Sequence, residues 1–233
     1  MARSVTRRRA SPQRKPVALS DTAKAFRRRL LRWYGRHKRD LPWRGSTDPY
    51  AVLVSEIMLQ QTQVVRVAEY FPRFLAAYPT LEDLAAAPAD AVRDSWAGLG
   101  YYARARNLHA AAQHVVAELD GVFPSEARDL RRLPGIGRYT AAAVASLAFG
   151  RDVATVDTNI DRVIGRVFRV RGKAKSSRRA KRIWGLAEAL VPRGRSSDWN
   201  QALMDLGATV CVARAPRCPA CPVRRACGTA AVE

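Results

Sequence analysis

The sequence of 233 residues predicts an all-α protein. Apolar residues recur at helical spacing in one stretch after another, few segments alternate as strands do, and most prolines fall between the periodic stretches. Residues 22–37 carry Phe26, Leu30, Leu31, Trp33 and Tyr34 among arginines, and Leu41-Pro42-Trp43-Arg44 breaks that pattern. A helical pattern runs over 50–70, and Pro72 opens the next stretch, 72–77, as a first-turn proline. Pro79 then separates it from 81–86, and Pro88 separates that from 89–97. Stretches 103–119 and 127–132 flank Pro124, and Pro134 precedes 139–149. Stretches 158–168 and 177–190 follow, and 199–210 comes after Pro192. Residues 1–20 are basic, contain proline and lack periodicity, which predicts a disordered tail able to lie along phosphates.

Charge bounds the function. With 41 Lys and Arg against 20 Asp and Glu, the chain carries a net charge of +21. At 26% charged and 48% hydrophobic residues it still has the composition of a globular protein. Such a surface seeks polyanions, and nucleic acid is the expected partner. No apolar run reaches the length that spans a bilayer, so no membrane partner is expected.

All four cysteines, Cys211, Cys218, Cys221 and Cys227, fall in the last 23 residues, with six, two and five residues between them. The amino-terminal stretch has no apolar run to serve as a secretory signal, so reduced thiols and a cytoplasmic location are expected. Four thiolates suit a structural zinc or an iron-sulfur cluster. Only Cys218 and Cys221 form a Cys-x-x-Cys pair, whereas zinc sites usually use two, and this favours the cluster.

Leu133-Pro134-Gly135-Ile136-Gly137-Arg138-Tyr139-Thr140 lies between two predicted helices. Gly135 and Gly137 can take positive φ and carry no Cβ, so the backbone can pass very close to another group. Their amides and the following helix start would form a concavity suited to a DNA phosphate. A tight αα-corner is the plainer reading of the same residues.

Longer blocks carry a resemblance. These are LPWR (41–44), PY..LVSEIMLQQTQV (49–64), GLGYYARARNLH (98–109), LPGIGRYTAAAV (133–144), VDTNIDRV (156–163), and NQALMDLGATVC with its three following cysteines. Together they span about four fifths of the chain, which resembles the helix-hairpin-helix (HhH-GPD) DNA glycosylases that carry a 4Fe-4S cluster, and within them the MutY-type adenine glycosylases. The resemblance implies two helical subdomains with a carboxy-terminal cluster loop: residues 43–151 as a six-helix domain with the hairpin, and 21–42 plus 152–233 as the cluster domain. It implies Cys211, Cys218, Cys221 and Cys227 as the cluster ligands. It also implies a monomer that acts on double-stranded DNA containing a mismatch, in the cytoplasm at the nucleoid.

Breaking an N-glycosidic bond leaves positive charge on the sugar and negative charge on the base, so one group must protonate the base and another must stay anionic. Glu56 lies in an apolar run whose burial would favour its protonated form, although a solvated helix-face glutamate fits the local sequence equally. Asp157 precedes a predicted helix, whose amides would keep it ionised, as they would for a plain N-cap. By resemblance, Glu56 protonates adenine and Asp157 stabilises the sugar cation or activates water. Bifunctional relatives resembling endonuclease III carry a lysine where this chain has Tyr139. A phenol forms no imine, so weak β-lyase activity is expected, with Tyr139 assisting on the sugar side.

The resemblance further assigns Gln61 and Tyr101 to fill the gap left by the flipped base, flanked by Thr62 and Leu99. Trp43 and Arg44 would line the adenine pocket, Gly135, Gly137 and Asn159 would serve DNA binding, and Arg104 and Arg106 are as suited to phosphates or acidic helices as to a base. Thymine-specific mismatch glycosylases, the alternative enzymes, have Ala and Leu where this chain has Val64 and Gln201, and glutamine offers a purine edge both a donor and an acceptor. A non-catalytic DNA-binding paralogue is the second alternative. Glu233 follows Cys227 by six residues, so opposite-base recognition without a further domain, and reduced discrimination between guanine and 8-oxoguanine, are expected.

Overall fold

The computed structural model describes residues 19–173 and 176–230. Most of the predicted basic tail therefore lies outside the described residues. Eleven α-helices and two short 3-10 turns form the described part, with no strand among the described residues.

Helix α1 (Asp21–His37) starts where Ser20 accepts a hydrogen bond from the amide of Ala23, and it buries Ala23, Phe26, Leu30 and Tyr34 at three- and four-residue spacing. Helix α2 (Pro49–Met58) opens with a first-turn proline, capped by Asp48, and is buried from Tyr50 to Met58. It is the centre of the first core. The predicted helix over 50–70 is in fact two, because Gln61 takes φ +56°, which ends α2 before α3 (Val64–Ala77) begins. Pro72 lies inside α3 and does not open a helix; its ring holds a helical φ, and the helix continues with one hydrogen bond fewer.

Helix α4 (Leu81–Ala86) has a reciprocal capping box between Thr80 and Asp83. Helices α5 (Ala89–Ser95), α6 (Ala103–Glu118), α7 (Ala127–Leu130) and α8 (Arg138–Leu147) complete the first core, which gathers Trp96, Leu108, Leu130 and Val144 around α2. The second core joins α1 to α9 (Thr158–Val167), α10 (Ser177–Leu190) and α11 (Ser196–Thr209). Phe26 packs edge-on against both Phe168 and Trp199 there. Helix α11 begins three residues ahead of the predicted 199, where the Ser196 hydroxyl donates to the carbonyl of Arg151.

The chain passes between the two cores twice, and one buried polar residue of α11 holds each crossing. Asp205, wholly buried, accepts from the amide and Nε of Arg39 (3.1 and 2.7 Å) and from Nη2 of Arg44 (2.6 Å) on the outgoing segment. Asn200, also wholly buried, accepts from the amide of Thr155 (3.2 Å) and donates to the Val153 carbonyl and the Ser146 hydroxyl (both 2.9 Å) on the returning one. The two crossings thereby become fixed walls of the cleft between the cores.

Candidate active site

That cleft is a cavity of about 1030 Å³, and most of the residues singled out in the sequence meet in it. Trp43, Arg44, Glu56, Gln61, Thr62, Val64, Tyr139, Asp157, Asn159 and Gln201 all line it. Leu99, Tyr101, Gly135 and Gly137 lie outside it.

Glu56 projects from the middle of α2 and is 4% exposed, which rules out a solvated helix face. Its Oε2 is buried without a hydrogen-bond partner. Burial pushes its carboxyl up to about 7, opposed by the adjacent Tyr139 hydroxyl, reinforced by Asp157, and opposed again by Arg44. A carboxyl poised there can hold a proton near neutral pH and release it.

Asp157 is the N-cap of α9: Oδ1 accepts from the amide of Ile160 at 2.7 Å, and Oδ2 accepts from Nδ2 of Asn159 at 3.0 Å. These bonds lower its pKa, yet burial outweighs them and leaves it above the ordinary carboxylate value. The helix amide expected to favour its ionised form is present, and burial opposes it. Asn159 itself is tied down, because its Oδ1 accepts from Arg162 at 2.7 Å, and its side chain orients Asp157. Tyr139, half-buried at the second position of α8, has its hydroxyl 3.9 Å from the sulfur of Met204, and burial raises it well above a free phenol.

The remaining side chains are held in different ways. Arg44 lines the cavity but is committed to Asp205 and to the hydroxyl of Tyr34 (2.7 Å), so it is a buttressed wall and not a free base-contacting cation. Trp43 is held edge-on by Phe71. Gln201 donates from Nε2 to the Ser197 hydroxyl of its own helix at 3.0 Å. The Leu99 side chain is buried in the first core and cannot flank an inserted residue. Tyr101 is exposed, as insertion requires. Arg104, expected at a phosphate or an acidic helix, is buried and donates only to backbone carbonyls.

At the hairpin, Gly135 takes φ +70°, and a Cβ there would overlap the Asn107 side chain. Gly137 does not need positive φ: it caps α8 at φ −82°, ψ 174°, with open space where a Cβ would point. The two glycines thus serve different purposes, one internal close packing and the other an open surface.

The four cysteines line a second, largely apolar cavity of about 240 Å³ beneath α9 and α11, with Val163, Leu206 and Val223 among its walls. Nη1 of Arg166 lies 3.4 Å from Sγ of Cys211. Burial lifts the Cys221 thiol to about 11, so only a bound cation would hold it as thiolate. Among the described residues no three Cys, His, Asp or Glu are arranged to grip a single ion. Four sulfurs around a largely apolar cavity are a donor set suited to a metal centre with thiolate ligands.

Sequence reasoning missed Asp205 and Asn200. Both had a signal: they flank on either side the apolar face that Trp199, Ala202, Leu203 and Leu206 define, and a charge or amide buried there must find partners. Among the described residues no helix is long and apolar enough to cross a membrane.

Residues 54–189 match the family model described as HhH-GPD superfamily base excision DNA repair protein. The adenine DNA glycosylase of Homo sapiens is 48% identical over 212 residues, which cover 87% of this chain and 39% of that protein. The adenine DNA glycosylase of Mycolicibacterium smegmatis is 44% identical over 196 residues, 83% of this chain and 66% of the relative. The chain thus spans about two fifths of the human relative's length and about two thirds of the mycobacterial one's. The solved structure of a thermostable thymine-DNA glycosylase superposes with a TM-score of 0.83 at 34% identity, covering 91% of this chain and 98% of that one. By sequence and by fold, the chain belongs to the HhH-GPD superfamily of base excision DNA repair proteins.

Proposed function

We propose that this protein is a monofunctional DNA glycosylase that hydrolyses the N-glycosidic bond of adenine mispaired with guanine or 8-oxoguanine. The observation that carries the reading is the pairing of Glu56, buried and raised to about 7, with Asp157 and Tyr139 around one cleft. Glu56 gives its proton to the base as the C–N bond breaks, and the electron pair of that bond leaves with the base. Asp157, held by the Ile160 amide and Asn159, stabilises the positive sugar. Water adds to the sugar carbon and passes its proton to a carboxylate, which restores the resting state. Tyr139 supplies no amine, so no imine forms and the strand stays intact. The identity to adenine glycosylases, together with Val64 and Gln201 in the cleft wall, favours adenine over thymine.

The partner is double-stranded DNA met by a monomer at the nucleoid, with the extruded base in the cleft and a phosphate over the open face of Gly137. The two cores correspond to two domains, 43–151 and 21–42 with 152–233. Cys211, Cys218, Cys221 and Cys227 hold a 4Fe-4S cluster that fixes the carboxy-terminal loop. The test is single-turnover cleavage, after alkali, of duplexes carrying A:8-oxoguanine, A:G, T:G or U:G. Cutting of the adenine strand is expected. Cutting of only the thymine or uracil strand would move the protein to repair of deaminated cytosines, and no cutting would leave a DNA-binding paralogue.

A further inference from the structure

Two exposed residues outside the helices, Gln61 and Tyr101, both take a left-handed backbone conformation, at φ +56° and +48°. Neither is glycine, asparagine or aspartate, so each conformation is strained and persists only if its surroundings impose it. The two residues are 40 positions apart in sequence and sit on different loops, one after α2 and one before α6. A single side chain contacts both loops. Arg104, in the first turn of α6, is 7% exposed, and its two terminal nitrogens divide between them. Nη1 donates to the carbonyls of Ile57 (3.0 Å), Met58 (2.7 Å) and Gln60 (2.6 Å), and Nη2 donates to those of Leu99 (3.0 Å) and Gly100 (3.1 Å). The last acceptor on each loop belongs to the residue immediately before the strained one.

The chemistry suits arginine alone. The Met58 carbonyl is an end-of-helix acceptor with no backbone donor among the described residues, whereas the Ile57 carbonyl also accepts from the Gln60 amide at 3.3 Å, and a cation at that end complements the helix dipole. A planar fork can direct one nitrogen at each loop, whereas lysine offers a single nitrogen. The guanidinium is further confined by the rings of Trp96 (5.5 Å) and Tyr101 (5.7 Å). Beyond the clamp, Nε2 of Gln60 reaches the Thr140 hydroxyl at 3.3 Å, next to Tyr139, so the first loop is also tied to the catalytic wall.

We propose that Arg104 is a positioning residue that sets the separation and direction of Gln61 and Tyr101, so that the two enter a DNA stack as one rigid wedge while the target base is turned into the cleft. The inference rests on the base-extruding function proposed above, and touches DNA only through the two loops.

The test uses the full-length, metal-loaded protein and the variants Arg104→Lys and Arg104→Met. Extrusion is read from the fluorescence of 2-aminopurine beside the target adenine, chemistry from the single-turnover rate, and docking from affinity for a duplex with a ready-made abasic site. We expect both variants to lose about 10-fold or more in extrusion and in rate, the scale of losing hydrogen bonds to a charged group, with abasic-site affinity within about 2-fold of wild type. Full rescue by lysine would reduce the role to charge and overturn the proposal, as would equal loss on both duplexes, which marks general destabilisation. Should neither variant fold, Gln61→Ala, Tyr101→Ala and their double variant decide the matter: a unit gives a double loss close to the larger single one, and multiplying losses overturn it. A wild type that cuts no strand refutes the proposed function instead, so the two failures are distinct.

Discussion

Nη2 of Arg44 lies 2.6 Å from Oδ1 of Asp205, a carboxylate with no exposed surface at all. Arg39 donates to the same oxygen at 2.7 Å, so one buried anion of α11 gathers two cations from the segment that leaves α1 for the first core. That segment includes Trp43, a wall of the cleft. The group that shapes the cleft is therefore one that never touches a substrate.

Asp205→Asn keeps the shape and removes the charge, leaving two arginines against a neutral amide. We expect a loss of about 3 kcal/mol, toward the low end for a broken buried pair because Arg39 is 27% exposed and can turn to water. Chemical denaturation would read it as a lower midpoint with an unchanged slope. Arg39→Gln should cost less than half as much, and equal losses would show that Arg39, and not the more buried Arg44, carries the pairing.

The hairpin glycines should respond oppositely to the same substitution. Gly135→Ala meets Asn107 and a left-handed backbone together, so a destabilisation of about 2 kcal/mol or more is expected. Gly137→Ala has an ordinary φ and open space, so stability should hold within about 0.5 kcal/mol. If a phosphate rests on that open face, affinity for DNA should nevertheless fall, since the methyl occupies its approach. Thermal melting and fluorescence anisotropy on the two variants separate these effects, and unimpaired binding by Gly137→Ala would remove the phosphate from this hairpin.

The cysteine loop should lose its order without its metal. Val223 and Ala226 bury themselves against the second core, and the cavity beside them is lined by the four cysteines, of which Cys221 has its thiol pushed up to about 11 by burial. Cys218→Ser is expected to be colourless where wild type is brown, and to be cut by protease near residues 212–220 while the first core stays intact. A colourless wild type containing one zinc per chain would reverse the metal assignment.

Helix positions were legible in the sequence where a local rule is met: Thr80, Asp157 and Ser176 cap at the predicted starts, and α4 and α10 have the bounds the periodicity predicts. The break at Gln61 was not legible, because nothing local favours a left-handed glutamine; the carbonyl of Gln60 is bound by Arg104, 44 positions away. The roles left open for Arg104, at a phosphate, an acidic helix or a base, all missed the one it has, a buried donor to carbonyls. Motifs identify residue types and spacing, whereas burial, as at Glu56 and Asp205, is decided by the meeting of elements distant in sequence.

Glu56 offers the prediction with the most defined sign. Its folded pKa of about 7 lies above the ordinary 4.5, so the native state retains a proton that the unfolded chain releases. Stability from this group is fully present below about pH 4.5, falls as pH rises through about 7, and is level beyond. The difference of about 2.5 in pKa corresponds to about 3 kcal/mol. Glu56→Gln never ionises, so its stability relative to wild type should increase across that window by up to this amount. Activity runs the other way: glutamine has no proton to give, and base release should fall by a factor of about 10² to 10⁴ below pH 7, the deficit shrinking above it as wild type loses the same proton. In wild type the single-turnover rate should fall as pH rises through 7, the limb of an acid that must be protonated. A rate flat from pH 5 to 9, together with no pH-dependent stabilisation in Glu56→Gln, would remove Glu56 as the acid and require the base to leave unprotonated.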